Sequence, residues 1–459
     1  MSTLAFSGGH ATTINRSSRV QTTSNRCLAI VLMTVVVLAP LPLGSVRPFF
    51  WGLTTLLVGM AGATYFLVQA RSRYQARFAL GSVALPLGAV ALFSLYLAIQ
   101  TVPFGGWTAT GVNGESWSFA TISVSPGMTV LTLVAYLGYG LLAYLLLQSA
   151  ANDQRRSAML AAITLAIVIY ALIGLASLQL GDTILGLQKW TYLHVATGPF
   201  VNRNSFATLL AMGAVLALAQ GADLLLSRTT ETGARHGSAI ALYLVAFGII
   251  SVTLLSTESR MGLLAMVCGS AAVALATLRW SARSRWALLV LGGALVFALL
   301  LVLVYGQGVI ERLARTDVGF DSRAALFAQV WELIMQRPLT GYGGGAFAEA
   351  FTLVHREPVD PNLIWDRAHN SYLNLWTEAG LLFGTLPMLA IGWCGFTFLR
   401  SVLSSRRNLA AAAGGLGIVV VGAVHSLTDF SLEIHGVAVV FVALLAICTA
   451  GSLTGSIRP

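Results

Sequence analysis

The sequence predicts an all-α integral membrane protein of about twelve transmembrane helices with one long extramembrane loop. Three observations carry that prediction. Of the 459 residues, 56% are hydrophobic and only 10% charged, whereas soluble domains carry about 25% charge. The mean hydropathy is +0.79. Apolar runs of about 20 residues, the length that crosses the hydrocarbon as a helix, recur along most of the chain. Lipid leaves open backbone groups without partners, so each run must cross as a helix. This composition excludes a soluble enzyme, a disordered chain and a nucleic-acid binder.

Residues 1–26 are rich in Ser, Thr and Arg and contain no acid. They read as a disordered cytoplasmic tail rather than a transit peptide, because no small-residue cleavage pattern follows the first apolar run. Spans one to nine fall near 27–46, 49–70, 78–100, 126–149, 158–180, 202–226, 238–256, 261–278 and 287–305, a block over 27–305. A loop of about 65 residues, 306–370, comes next. Spans ten to twelve fall near 376–399, 409–427 and 435–452, within a C-terminal block over 371–459. Loops as long as 306–370 are uncommon unless functional. No internal repeat of the kind many transporters carry is visible.

Charge sets the orientation. The formal net charge is +10, from 27 Lys and Arg against 17 Asp and Glu. Seventeen of the basic residues fall on one set of alternate loops. Ten fall on the other set, six of them in 306–370. The positive-inside rule then makes both termini cytoplasmic and puts 306–370 outside. Cys27, Cys268, Cys394 and Cys448 lie in or beside apolar runs. Their spacing fits neither a disulfide framework nor a metal site, and they read as small hydrophobes.

The chemistry-bearing residues gather on the outer side. Asp321-Ser322-Arg323 opens a helical stretch in which Leu326, Phe327, Val330 and Ile334 form one stripe, with Gln329, Glu332 and Gln336 opposite. Arg323 falls within the apolar stripe. A guanidinium so placed either finds a carboxylate or phosphate, or snorkels at the helix start. The run Arg337-Pro-Leu-Thr-Gly-Tyr-Gly-Gly-Gly-Ala-Phe347 is either a tight turn or a stretch whose N–H groups approach a phosphate. His369 precedes a helix that Asn370 or Ser371 can cap, with Asp366, Arg367 and Glu378 close in sequence. A histidine in a polar vestibule titrates near neutrality and can take a proton from a sugar hydroxyl. Its rival, His355, sits in Arg356-Glu357-Pro358 and reads as solvated loop. Shorter outer loops add Arg47, the run Asn202-Arg203-Asn204-Ser205, and Ser259-Arg260. Arg260 stands at membrane depth, where charge is costly and usually functional, with a salt bridge to Glu258 as its structural alternative. His425, Asp429 and Glu433 surround the last outer turn as supporting groups.

In this order, these pieces resemble the O-antigen ligase and O-antigen polymerase superfamily of bacterial inner-membrane glycosyltransferases. The carriers are Val201–Ser205, Ser259-Arg260, Arg323 ahead of Pro338-Leu-Thr-Gly-Tyr-Gly-Gly-Gly, His369-Asn370-Ser371-Tyr372 followed by Glu378-Ala-Gly380-Leu, and His425-Ser-Leu-Thr-Asp429-Phe. The resemblance implies a GT-C-like helical fold and a metal-independent transferase without cofactor. It implies a glycan on undecaprenyl pyrophosphate as donor, and lipid A-core or another lipid-linked glycan as acceptor, with membrane lipid around the site and no nucleic acid. By position His369 matches the family's catalytic histidine, and Arg260 and Arg323 match its pyrophosphate-binding arginines, with Arg47 a further match. Asn202, Arg203, Asn204, Arg367, Asn370 and Glu378 are the expected substrate-binding residues.

The residues suit that chemistry. An acceptor hydroxyl attacks the anomeric carbon, and the departing diphosphate gains negative charge. Guanidinium forks in a low-dielectric vestibule can hold that charge without a metal. The sequence contains no Asp-x-Asp motif and no His/Cys ligand set. Ligase and polymerase share the donor site and are not separated here. A lipid-linked oligosaccharide flippase or a solute transporter would need charge near the bilayer midplane, yet the runs at 78–100, 126–149, 158–180 and 287–305 hold none. A third reading makes the outer loop a docking surface in an assembly complex.

Overall fold

The computed structural model describes residues 8–72, 76–227, 233–281, 292–293 and 317–456. Among them are fourteen α-helices: α1 (Gly8–Leu38), α2 (Pro48–Ser72), α3 (Ala84–Gln100), α4 (Pro126–Ser149), α5 (Asp153–Gln179), α6 (Arg203–Leu226), α7 (Gly233–Ser256), α8 (Arg260–Ser281), α9 (Asp317–Gln336), α10 (Phe347–Phe351), α11 (Ser371–Gly384), α12 (Leu386–Ser404), α13 (Leu409–His425) and α14 (His435–Ser456). Nine of the described helices are long and apolar enough to cross a membrane: α2, α3 with its preceding turn, α4 to α8, α12 and α14. Thr22–Leu38 within α1 and the whole of α13 are shorter apolar helices at the first and eleventh expected spans. The chain is an all-α, multi-pass membrane protein. The expected ninth span, 287–305, lies outside the described residues except for 292–293.

The expected tenth span, 376–399, is two helices rather than one. Gly380 sits at φ 72° and ψ 170°, inside α11. Pro387 then opens α12, where its missing N–H costs nothing. Only Leu386–Ser404 has the length of a span.

The centre of the bundle is α6, whose residues Ser205 to Ala222 are all buried. It packs against α8 and α13 at close range. A Cβ on Gly417 would stand 2.5 Å from Val215, and one on Gly269 would stand 2.7 Å from Val421. Small residues there let the helix backbones approach, as membrane bundles require. At one end of the bundle Arg156 is buried, bonding Asp153 at 2.7 Å and Asn408 at 2.6 Å.

The other end carries a small second core. Leu326, Val330, Leu333 and Ile334 of α9 pack with Tyr342, Phe347, Phe351, Val354 and Val359. Gln329, expected on the polar face, is buried beside them, its amide bonding the backbone of Arg356. Two antiparallel hairpins flank this end, β1 (Pro103–Thr110) with β2 (Ser116–Thr121) and β3 (Thr183–Ile184) with β4 (Leu187–Gln188). The larger hairpin turns through residues 111–115, with Gly114 at φ 80°.

Candidate functional site

His369 stands two residues before the start of α11, just ahead of its N-cap Asn370, in a left-handed backbone conformation at φ +52°. Asn370 caps the helix, its Oδ1 accepting from the N–H groups of Tyr372 and Leu373 at 3.0 Å each. The whole motif is fastened to the turn after α13. Asn370 Nδ2 donates to Leu427 O at 2.9 Å, Ser371 N to Ser426 O at 3.1 Å, and Tyr372 hydroxyl to Ala423 O at 2.9 Å. The imidazole is set edge-to-face against Phe430, with ring centroids 4.8 Å apart, and against Trp365 at 5.6 Å. Among the described residues nothing hydrogen-bonds its ring nitrogens, so both remain available to a ligand. Burial pushes its pKa below the ordinary value. Asp429 and Asp366 oppose that shift, and Arg323 adds to it. The imidazole is therefore neutral at physiological pH, the form that accepts a proton.

Asp429 is the joint of the site. It is 1% exposed. One oxygen accepts from Asn204 Nδ2 at 2.7 Å, the other from Ser431 Oγ at 2.6 Å. His425 Nδ1 stands 4.0 Å away. Asn204 in turn accepts from Ser259 Oγ at 2.9 Å, and Ser259 immediately precedes Arg260, the first residue of α8. One chain of hydrogen bonds thus ties the starts of α6 and α8 to the turn that supports His369.

The sequence-expected residues fall around this joint in different ways. Arg323 is exposed near the start of α9, above its buried stripe rather than within it, and it acts electrostatically on both His369 and Tyr192. Arg203 lies 3.6 Å from Glu258 and over the Tyr192 ring. Asn202 caps α6, accepting from Asn204 N at 2.8 Å. Arg367 places Nε 3.1 Å from Glu433 Oε2. Burial pushes the Glu433 carboxyl up to about 8 against the pull of Arg367. Arg47 is exposed at the start of α2, after a turn that packs on Phe200 and Ile434, so it belongs to the same end of the bundle.

Glu378 and the glycine run form a fastening. Glu378 is buried and accepts from Asn374 at 2.9 Å. The N–H groups of Gly341, Tyr342, Gly343 and Gly344 go to Arg337 O, Thr377 O, Glu378 O and Gln100 Oε1. Those groups are consumed inside the protein, so this stretch is the tight turn and not a phosphate cradle. His355 bonds Asp360 O at 3.1 Å within its loop.

An apolar cavity of about 370 Å³ opens between α3, α4, α11, α12, α13 and α14. Its wall includes Tyr136, Tyr139, Trp393 and Phe441, and it reaches Ser371, Tyr372, Ser426 and Glu433 at the polar end. The cavity suits an apolar chain, and Ser371 in its wall stands two residues from His369.

Sequence reasoning gave Asp429 only a supporting place and missed Tyr192, Trp365 and Phe430. For Asp429 the signal was its polar cluster with His425 and Ser431 in an apolar context. The aromatic residues carry no such signal.

A protein-family model described as O-antigen ligase matches residues 245–389. That segment contains Arg260, Arg323, Arg367, His369, Asn370 and Glu378, whereas Arg47, Arg203, Asn204 and Asp429 lie outside it. No curated protein matches the chain.

Proposed function

We propose, from the match of residues 245–389 to a family model described as O-antigen ligase, that this chain belongs to the O-antigen ligase and polymerase superfamily and moves a glycan from undecaprenyl pyrophosphate to an acceptor hydroxyl. The reaction is that of an O-antigen ligase or a surface-polysaccharide polymerase. It takes place at the periplasmic face of a bacterial inner membrane, with both termini in the cytoplasm. The observation that carries this reading is the placement of the His369 imidazole, with no hydrogen bond to its ring nitrogens among the described residues, two residues from Ser371 on the wall of an apolar cavity.

In the proposed step the acceptor oxygen attacks the anomeric carbon while the bond from that carbon to the pyrophosphate oxygen breaks. His369 takes the hydroxyl proton, and undecaprenyl pyrophosphate leaves with the electron pair. Direct displacement inverts the anomeric carbon. Arg323 and Arg260 hold the growing charge, and a guanidinium does so by paired hydrogen bonds that no metal need supply. The apolar cavity takes part of the polyprenyl tail. Asp429 orients the site without touching the reacting atoms.

The test is transfer by the purified protein in EDTA, with undecaprenyl-pyrophosphate-linked glycan and candidate acceptors, for wild type and His369→Ala. Loss of about 10²–10⁴-fold in rate is expected for the variant. Undiminished transfer removes His369 from its role. Movement of the lipid across the bilayer without transfer replaces the enzyme with a flippase.

A further inference from the structure

The connection between α5 and α6 holds more order than a linker requires. Asp182, Leu185, Tyr192 and His194 all adopt positive φ, a conformation that non-glycine residues keep only where the surroundings enforce it. A buried clamp enforces it here. Lys189, the chain's one lysine, is 4% exposed. Its ammonium donates to Asp182 Oδ1 and, at 2.7 Å, to Val195 O. The second oxygen of Asp182 accepts from His194 N. Ala196 N donates to Ser256 O at 2.7 Å, which fastens the loop to the last residue of α7.

The loop holds an aromatic ring at the edge of the site. Tyr192 is 37% exposed. The guanidinium of Arg203 stands 5.6 Å from its ring centroid. Arg323 and Asp429, two of the three charged groups that act on His369, act on Tyr192 as well. With Arg203 against the ring, a good part of the aromatic surface still faces outward.

A neutral sugar ring offers arginines no charge to grip. One face of a pyranose is a patch of C–H groups with slight positive character, and it suits the negative face of an aromatic ring. We infer that the loop clamped by Lys189 and Asp182 presents Tyr192 as a stacking platform for a pyranose ring of the glycan substrate, beside the arginines that hold the diphosphate. This rests on the proposed function and adds to it a residue that reads sugar rather than phosphate. The ring can belong to the donor's sugar or to the acceptor's.

The experiment uses the full chain in lipid nanodiscs and measures binding of three probes: undecaprenyl pyrophosphate without sugar, the same lipid carrying its glycan, and the glycan released from the lipid. Wild type should bind the glycan-bearing lipid more tightly than the bare one, or bind the released glycan measurably. Tyr192→Ala should lose about tenfold in one glycan arm, equivalent to about 1.4 kcal/mol, and leave the bare lipid unchanged. Loss with the glycan-bearing lipid assigns the ring to the donor, and loss with the released glycan assigns it to the acceptor. Tyr192→Phe should keep wild-type binding, because the ring and not the hydroxyl does the stacking. Lys189→Met should reproduce Tyr192→Ala by loosening the loop. Wild type that binds neither lipid overturns the donor assignment itself. Wild type that binds both lipids, with Tyr192→Ala unaltered in both glycan arms, overturns the platform and makes the loop an interfacial anchor. Equal losses for bare and glycan-bearing lipid in Tyr192→Ala also overturn it.

Discussion

Asp429→Asn and Asp429→Leu separate the charge of this buried carboxylate from its hydrogen bonds. The carboxylate accepts from Asn204 at 2.7 Å and from Ser431 at 2.6 Å. A bond to a charged partner contributes about 1.5–3 kcal/mol, and a neutral one about 0.5–1.5 kcal/mol. In the Asn variant the carbonyl oxygen keeps Asn204, and the Ser431 hydroxyl turns to accept from the new amide. Both bonds survive as neutral ones, for an expected loss of about 1–2 kcal/mol. Leu removes both, and the loss rises to about 3–5 kcal/mol. Thermal unfolding in a single detergent should show a fall in Tm at least about twice as large for Leu as for Asn. The charge has a second consequence. Asp429 raises the pKa of His369 against the effect of burial. Without it the imidazole loses its proton at lower pH, and the acid limb of the pH–rate profile of Asp429→Asn moves down in pH. Equal stability of the two variants, or an acid limb that moves upward, would refute the argument.

Arg260→Lys and Arg323→Lys should each lower kcat about 10–100-fold in the transfer assay, since an ammonium keeps the charge but not the paired hydrogen bonds. Gly380→Ala puts a Cβ 2.4 Å from Leu339 O at φ +72°, for a stability loss of about 2–4 kcal/mol. Gly392→Ala meets nothing within 4 Å and should not lower Tm, since a helical position with room for Cβ favours Ala over Gly, which makes it the control in the same melting series. Glu433 has its pKa raised by burial from 4.5 to about 8. The stabilisation that goes with the bound proton is complete below pH 4.5 and drains away as pH rises towards 8. Tm followed from pH 5 to 9 should therefore drift in favour of Glu433→Gln relative to wild type.

Helices, their approximate limits and the one loop that carries the chemistry are legible in the chain itself. An apolar stretch of span length has no other way to satisfy its backbone in lipid. Local rules reach further in places. Asn370 and Asn202 cap the helices they precede, because a side-chain oxygen two residues from an unpaired N–H closes that bond with no help from the rest of the fold.

The remainder needed the folded chain. The glycine run before Phe347 is compatible with a turn or a phosphate loop until its N–H groups are seen to end on Arg337, Thr377, Glu378 and Gln100. The last of these lies far away in sequence. Arg323 shares its helical phase with Leu326 and Val330, yet it is exposed because the second core begins below it. The break at Gly380 depends on the carbonyls of Pro338 and Leu339 pressing against that glycine. Composition and hydropathy determined that this is a helical membrane protein with its polar weight on one side, since solvation acts on each segment separately. Which polar groups meet was decided by packing: Asp429 bonds Asn204, 225 residues away in the chain, and such a contact leaves no local trace.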